Sequence, residues 1–172
     1  MKLSVQFTIA SMRSILLGTL MLMSNQLMAQ TKAMPNFQQY PAQVSKIKAQ
    51  PIQITGNNKR YKTFLTELKD KPINFAGHYV LDTYGCGGGC QGIGIYNAKT
   101  GQAFIHNEQF SECYSDKHGW HDRDYDMRSN SRLLILMGRR TKDIARCEKV
   151  YYLIQGYGLK QIASEMIFKD QS

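Results

Sequence analysis

Four cysteines, Cys86, Cys90, Cys113 and Cys147, carry the most definite chemistry in the sequence. In an exported chain an even number of cysteines reads as disulfides before it reads as a metal site. Three pairings are open to them. In an extended strand Cys86 and Cys90 would stand about 13 Å apart, well beyond the ~4.4–6.8 Å that separates the Cα atoms of a disulfide. Gly87, Gly88 and Gly89 lie between them and can take positive φ without steric cost, so CGGGC can close into a small loop. The spacing predicts Cys86–Cys90 and, by elimination, Cys113–Cys147.

Histidine and aspartate come next. His118 and His121 bracket Gly119-Trp120, with Asp116, Asp122, Asp124 and Asp126 beside them. Imidazole and carboxylate suit zinc, which makes His118 and His121 the alternative metal ligands. The pair is not on a predicted helix, however, and no third ligand is specified. A calcium loop starting at Asp122 fails at its sixth position, Met127, and at its twelfth, Leu133. Arg123 and Arg128 alternate with the acids, so a solvated, internally paired loop is the simpler reading, and neither metal nor cofactor is expected. The turn from Gly85 to Gly94 could form a nest of backbone N–H groups for an anion, but no helix and no Lys-Ser/Thr follows, and it reads as a disulfide-closed turn. No Gly-x-Ser-x-Gly elbow is present and the cysteines are oxidised, which leaves nucleophilic catalysis unsupported. His78, beside Gly77 at the start of a strand, reads as a hydrogen-bonded structural histidine and a lesser binding candidate.

The elements that must position these residues follow from periodicity. Residues 30–56 contain Pro35, Pro41 and Pro51 and keep no period, which predicts an extended N-terminal arm. Asn57 and Asn58 can cap a helix in which Tyr61, Phe64, Leu65 and Leu68 form one apolar stripe, ended before Pro72. From Phe75 the period changes to two. GHYVLDTY, GIGIY, QAFIH, SRLLILMG, KVYYLIQG and GLKQIAS read as strands, with turns at Asn97–Gly101 and Gly156–Gly158. SRLLILMG is nearly all apolar, as a central strand covered on both faces should be. The expectation is a single α+β domain over 57–172. It comprises a mainly antiparallel β-meander of five or six strands, one amphipathic helix packed on it, and disulfide staples. Residues 107–130 are left as one long polar loop, and loops of that length are commonly functional.

Residues 1–29 read as a signal peptide: Lys2 and Arg13, an apolar run Ser14–Met23, then Leu27-Met28-Ala29 with cleavage after Ala29. The run is shorter than the roughly 20 residues that span a bilayer, and no cysteine near Ala29 could accept lipid, so no stable membrane anchor is expected. Cleavage removes two of the 22 Lys+Arg and none of the 13 Asp+Glu, leaving a mature charge of +7. Such a charge biases encounter toward acidic surfaces. Without a basic run interleaved with aromatics, nucleic acid is not expected as a partner.

The string NFAGHYVLDTYGCGGGCQGIGIYNAKTG, Asn74 to Gly101, resembles a family of small exported proteins of Gram-negative bacteria. In that family an Ala-Gly-His-Tyr strand leads to Gly-Cys-Gly-x-x-Cys and then to a strand closed by an Asn/Asp-x-x-Thr-Gly turn. Gly89 and Tyr84 depart from its usual residues. The resemblance implies export, a disulfide and the domain extent, and brings no reaction with it. From the residues themselves we expect a periplasmic or secreted binding module of the inhibitor or immunity type, contacting another envelope protein through the 107–130 segment. Trp120, Tyr114, Tyr125 and Arg123 are of the types enriched at binding hot spots. The alternative is a metal-dependent or His/Asp-assisted hydrolase acting on an envelope polymer, using His78, His118 and His121.

Overall fold

From Tyr79 onward apolar side chains alternate and the backbone forms strands. The computed structural model describes residues 33–169, and the expected signal segment lies outside them. In chain order the elements are β1 (Gln53–Ile54), α1 (Lys62–Glu67), β2 (Tyr79–Gly87), β3 (Cys90–Asn97), β4 (Gln102–Ile105), β5 (Phe110–Ser111), β6 (Cys113–Ser115), β7 (Gly119–His121), β8 (Asp124–Met127), β9 (Leu133–Arg140), β10 (Asp143–Gln155) and β11 (Gly158–Lys169). The α+β class and the disulfide staples are as expected. The strand number is not: the described residues form eleven strands rather than five or six. The surplus lies largely in 107–130, where β5 to β8 replace the expected loop. Each is only two to four residues long, too short for alternation to show, because the pattern needs about four to eight.

Nine strands join in one sheet along the path β1-β4-β3-β5-β9-β10-β11, with β2 also paired to β3 and β8 to β9. β1 runs parallel to β4, and the other pairings are antiparallel. The Asn97–Gly101 hairpin is held by Asn97 Oδ1, which accepts from the Lys99 and Thr100 amides at 3.0 and 3.2 Å. Strand β9 is central, with β10 on one side and β5 and β8 on the other. Phe110 in β5 joins the two halves of the sheet, pairing with Gln91 and with Arg140.

Alternation sorts the strand residues onto two faces. Leu81, Ile93 and Ile95 from one half meet Leu134, Leu136, Val150, Tyr152 and Ile154 from the other in one core. Their neighbours Val80 and Tyr96 point the opposite way and are covered by Leu65 and Leu68, with Tyr61 and Phe64 at the edge. The apolar stripe read from the sequence therefore packs on the sheet. The helix itself is shorter than its stripe, because 3-10 turns at Gly56–Tyr61 and Leu68–Asp70 flank it. Asn58 caps nothing there. Its Oδ1 accepts from the Ile105 amide at 3.0 Å and ties this turn to β4.

The N-terminal arm is extended through most of its length and lies on the sheet. Ile47, Ala49, Ile52 and Ile54 pack with the helix, while Phe37 and Tyr40 pack over Leu133, Tyr151 and Leu153. Backbone hydrogen bonds fix the arm along its course: Ala42 to Asn130, Ser45 to Gly77, Gln50 to Ala98 and Gln53 to Gly101.

Candidate functional site

Both disulfides pair as the spacing predicts, Cys86–Cys90 with Cα atoms 5.2 Å apart and Cys113–Cys147 with Cα atoms 5.7 Å apart. Their surroundings differ. Cys86 is exposed at the tip of the β2–β3 hairpin, where Gly87, Gly88 and Gly89 all take positive φ (91°, 54° and 75°). Cys113 and Cys147 are fully buried and pack with Phe168.

The buried bond pins the β6–β7 ribbon to β10. Within the ribbon Cys113 lies opposite His121, Tyr114 opposite Trp120 and Ser115 opposite Gly119. Alternation then divides it into two faces. His121 shares the inner face with Cys113, and its ring sits 5.4 Å from Phe168, while His118 in the connecting turn stacks on Phe168 at 5.1 Å and 14°. Trp120 and Tyr114 share the outer face, with ring centroids 5.1 Å apart. Trp120 remains 67% exposed. The two histidines thus pack the ribbon down, and the aromatic pair is presented outward.

Sequence reading missed what surrounds this ribbon. Of the seven exposed large apolar side chains among the described residues, three more, Ile144, Met166 and Ile167, lie within three residues of Cys147 or Phe168. They lie toward the open end of the β10–β11 hairpin, the end to which Cys113–Cys147 fastens the ribbon that carries Trp120. The available signal was the run Met166-Ile167-Phe168, in which not every side chain can face a core.

The remaining candidates are placed elsewhere. Arg123 Nη1 donates to Gly89 O at 2.9 Å and to Glu112 Oε1 at 2.7 Å, so this guanidinium braces the CGGGC loop against the segment before β6. Tyr125 in β8 turns inward beside the core and lines a cavity of about 20 Å³ with Ile93, Phe110 and Leu136. His78 follows the tight Ala76-Gly77 turn before β2, with its ring 4.4 Å from that of Tyr79 and tilted by 34°. Burial lowers its pKa, and nearby Lys99 lowers it further. The His78 groove includes Ile154, whereas Phe168, which His118 and His121 contact, pairs with Cys147. Seven residues of β10 separate the two places, a rise of about 20 Å. The three histidines are not brought into one site.

One polar cluster has no counterpart in the sequence reading. Arg140 Nη2 donates to Glu148 Oε2 at 2.5 Å, and Arg146 Nε lies 2.8 Å from Glu148 Oε1, so two guanidinium groups pair with a carboxylate that is 1% exposed, while Glu148 Oε1 and Arg140 Nε make no hydrogen bond. Arg140 Nη1 reaches Gln161 at 3.1 Å and Glu108 at 3.4 Å, and Glu108 also accepts from Tyr152 and pairs with Lys142. His106 stands edge-on to Tyr152 at 5.0 Å with its Nε2 buried and unpartnered. Burial, reinforced by Lys142, lowers its pKa to about 4, and burial raises the Tyr152 hydroxyl to about 12. These groups come from positions scattered over more than fifty residues, and no spacing rule connects them. Their chemistry is that of a partly buried ion-pair network linking the segment before β5 to β9, β10 and β11.

Among the described residues no group of three or more His, Cys, Asp or Glu side chains could hold a metal ion, and no helix is long and apolar enough to cross a membrane. Comparison of the chain with protein-family models, with curated proteins and with solved structures returns no match.

Proposed function

We propose that this protein is an exported binding module of the periplasm, of the inhibitor or immunity type. It contacts another envelope protein through the β6–β7 ribbon and the apolar side chains beside it. The observation that carries this reading is Trp120, 67% exposed and paired with Tyr114 on the outer face of a ribbon pinned by the buried Cys113–Cys147 bond. Isolated exposed apolar residues are ordinary, but an outward-facing Trp–Tyr pair on a disulfide-anchored support is of the residue types enriched at protein-binding surfaces. Two disulfides fit an oxidising, extracytoplasmic compartment. The resemblance of residues 74–101 to exported Gram-negative proteins supports the same location. The hydrolase reading loses its support where His118 and His121 pack on Phe168 while His78 stands at the other end of β10.

Affinity capture from a periplasmic extract tests the proposal, with the wild-type protein and its Trp120→Ala variant immobilised in parallel. The wild type should retain an envelope protein that the variant does not. Equal retention by both, or stoichiometric zinc in untagged protein that disappears in His118→Ala and His121→Ala together with a hydrolytic activity, would overturn it.

A further inference from the structure

A groove of about 350 Å³ opens between the arm at Pro41–Gln43, the Ala76-Gly77-His78 turn, Arg132 and Ile154. That volume is at the small end of the range typical for small-molecule sites. The floor is rigid. Ala76 holds φ at +45°, a left-handed conformation that a non-glycine residue adopts only when its surroundings enforce it. The enforcement comes from both sides: the Ala76 amide donates to Arg128 and Ser131 carbonyls, the Gly77 amide donates to Ser129 O at 2.6 Å, and Gly77 O accepts from Ser45 at 2.9 Å.

The groove's charge is one-sided. No lining residue is acidic, and Lys99 is close enough to His78 to disfavour a second positive charge there. Arg132 is exposed, and none of the ion pairs among the described residues involves it. A free guanidinium is a planar fork matched to a carboxylate, and a neutral imidazole can add one N–H donor. Pro41, Ala42 and Ile154 form the apolar part of the wall, which Gln43 and Tyr79 complete.

We propose that this groove binds a small organic carboxylate with an apolar body. The carboxylate lies on the Arg132 guanidinium and the His78 imidazole, and the body lies against Pro41, Ala42 and Ile154. The ligand can be a free acid or the C-terminal residue of a peptide, since both offer the same group. The site is independent of the β6–β7 surface.

Titration of the purified, disulfide-bonded protein with phenylacetate, N-acetyl-Ala-Phe and N-acetyl-Ala-Phe-amide, read by amide and histidine-ring NMR shifts, tests the site. Saturable shifts at residues 42–43, 76–79 and 132 are expected with a carboxylate probe, with the capped amide at least tenfold weaker. Binding of phenylacetate as tight as that of the dipeptide assigns the site to free acids, and binding of the dipeptide alone assigns it to a peptide terminus. Arg132→Gln, which alters a surface side chain and leaves the amide spectrum of the fold in place, should weaken binding tenfold or more. Absence of shifts in the groove at millimolar probe, or equal affinity for acid and amide, or for wild type and Arg132→Gln, would overturn the proposal.

Discussion

Leaving Trp120 in water forgoes apolar burial worth about 25 cal/mol per Å², although Phe168 and the Cys113–Cys147 bond lie on the other side of the same ribbon. A partner surface would recover that term. Trp120→Ala should therefore cost roughly 2 kcal/mol or more of partner affinity with the unfolding midpoint nearly unchanged, measured by calorimetric titration beside thermal melts. His106 governs a different observable. Its pKa is about 4 in the fold against 6.5 for the free side chain, held down by burial and then by Lys142. Above pH 6.5 both states are neutral and His106 adds no pH dependence. As the pH falls from 6.5 toward 4, the unfolded chain takes up a proton that the folded chain refuses, and stability on the order of 3 kcal/mol is lost across that window. Urea unfolding at several pH values should show this loss in the wild type. His106→Phe keeps a ring against Tyr152 and should flatten that part of the profile; an unchanged profile would remove His106 as the cause.

The disulfides divide into one that holds an element and one that closes a turn. Cys113–Cys147 links residues 34 apart, and chain-entropy arithmetic assigns it about 4 kcal/mol, against about 2 kcal/mol for Cys86–Cys90 with a separation of 4. Replacing the buried pair by serine should lower the urea midpoint more than replacing the exposed pair. A mild dithiol should also reduce Cys86–Cys90 first, because only Cys86 is open to attack; non-reducing peptide mapping of partially reduced protein reads the order. This pairing was legible beforehand because three consecutive glycines between two cysteines leave the chain few other uses. The long strands were legible for a similar reason, each running long enough for its pattern to emerge, a period of two in GHYVLDTY and an unbroken apolar run in SRLLILMG. β6, β7 and β8 were not. Their three or four residues include His121, Asp124 and Asp126, polar side chains that face solvent or Phe168 and so present no apolar period. Asn58 shows the same limit at the helix: as a cap it was plausible locally, but its acceptor is taken by Ile105, a partner 47 residues away.

At the scale of the molecule, the arm and the sheet are locked together at Gly77. A Cβ added there would fall 2.1 Å from Gln43 O, on a residue whose φ is +80°. Gly77→Ala should therefore destabilise by clearly more than about 1 kcal/mol, whereas Gly85→Ala, with open space around it, should be close to neutral; chemical denaturation of the two variants side by side checks this. Lack of periodicity made the arm legible as extended. It could not say where an extended chain would lie, since that depends on Gly77, Asn130, Ala98 and Gly101 supplying backbone partners along its path. Around β6–β7 only Trp120 and Tyr114 were legible, because the fastening of the ribbon to Cys147 and Phe168 comes from strands distant in the sequence. Hydrogen–deuterium exchange of the wild-type protein, alone and with the partner it captures, tests the binding-module account most directly. Protection should concentrate on residues 113–121 and 164–169. Protection confined to other strands, with 113–121 exchanging as in the free protein, would contradict it.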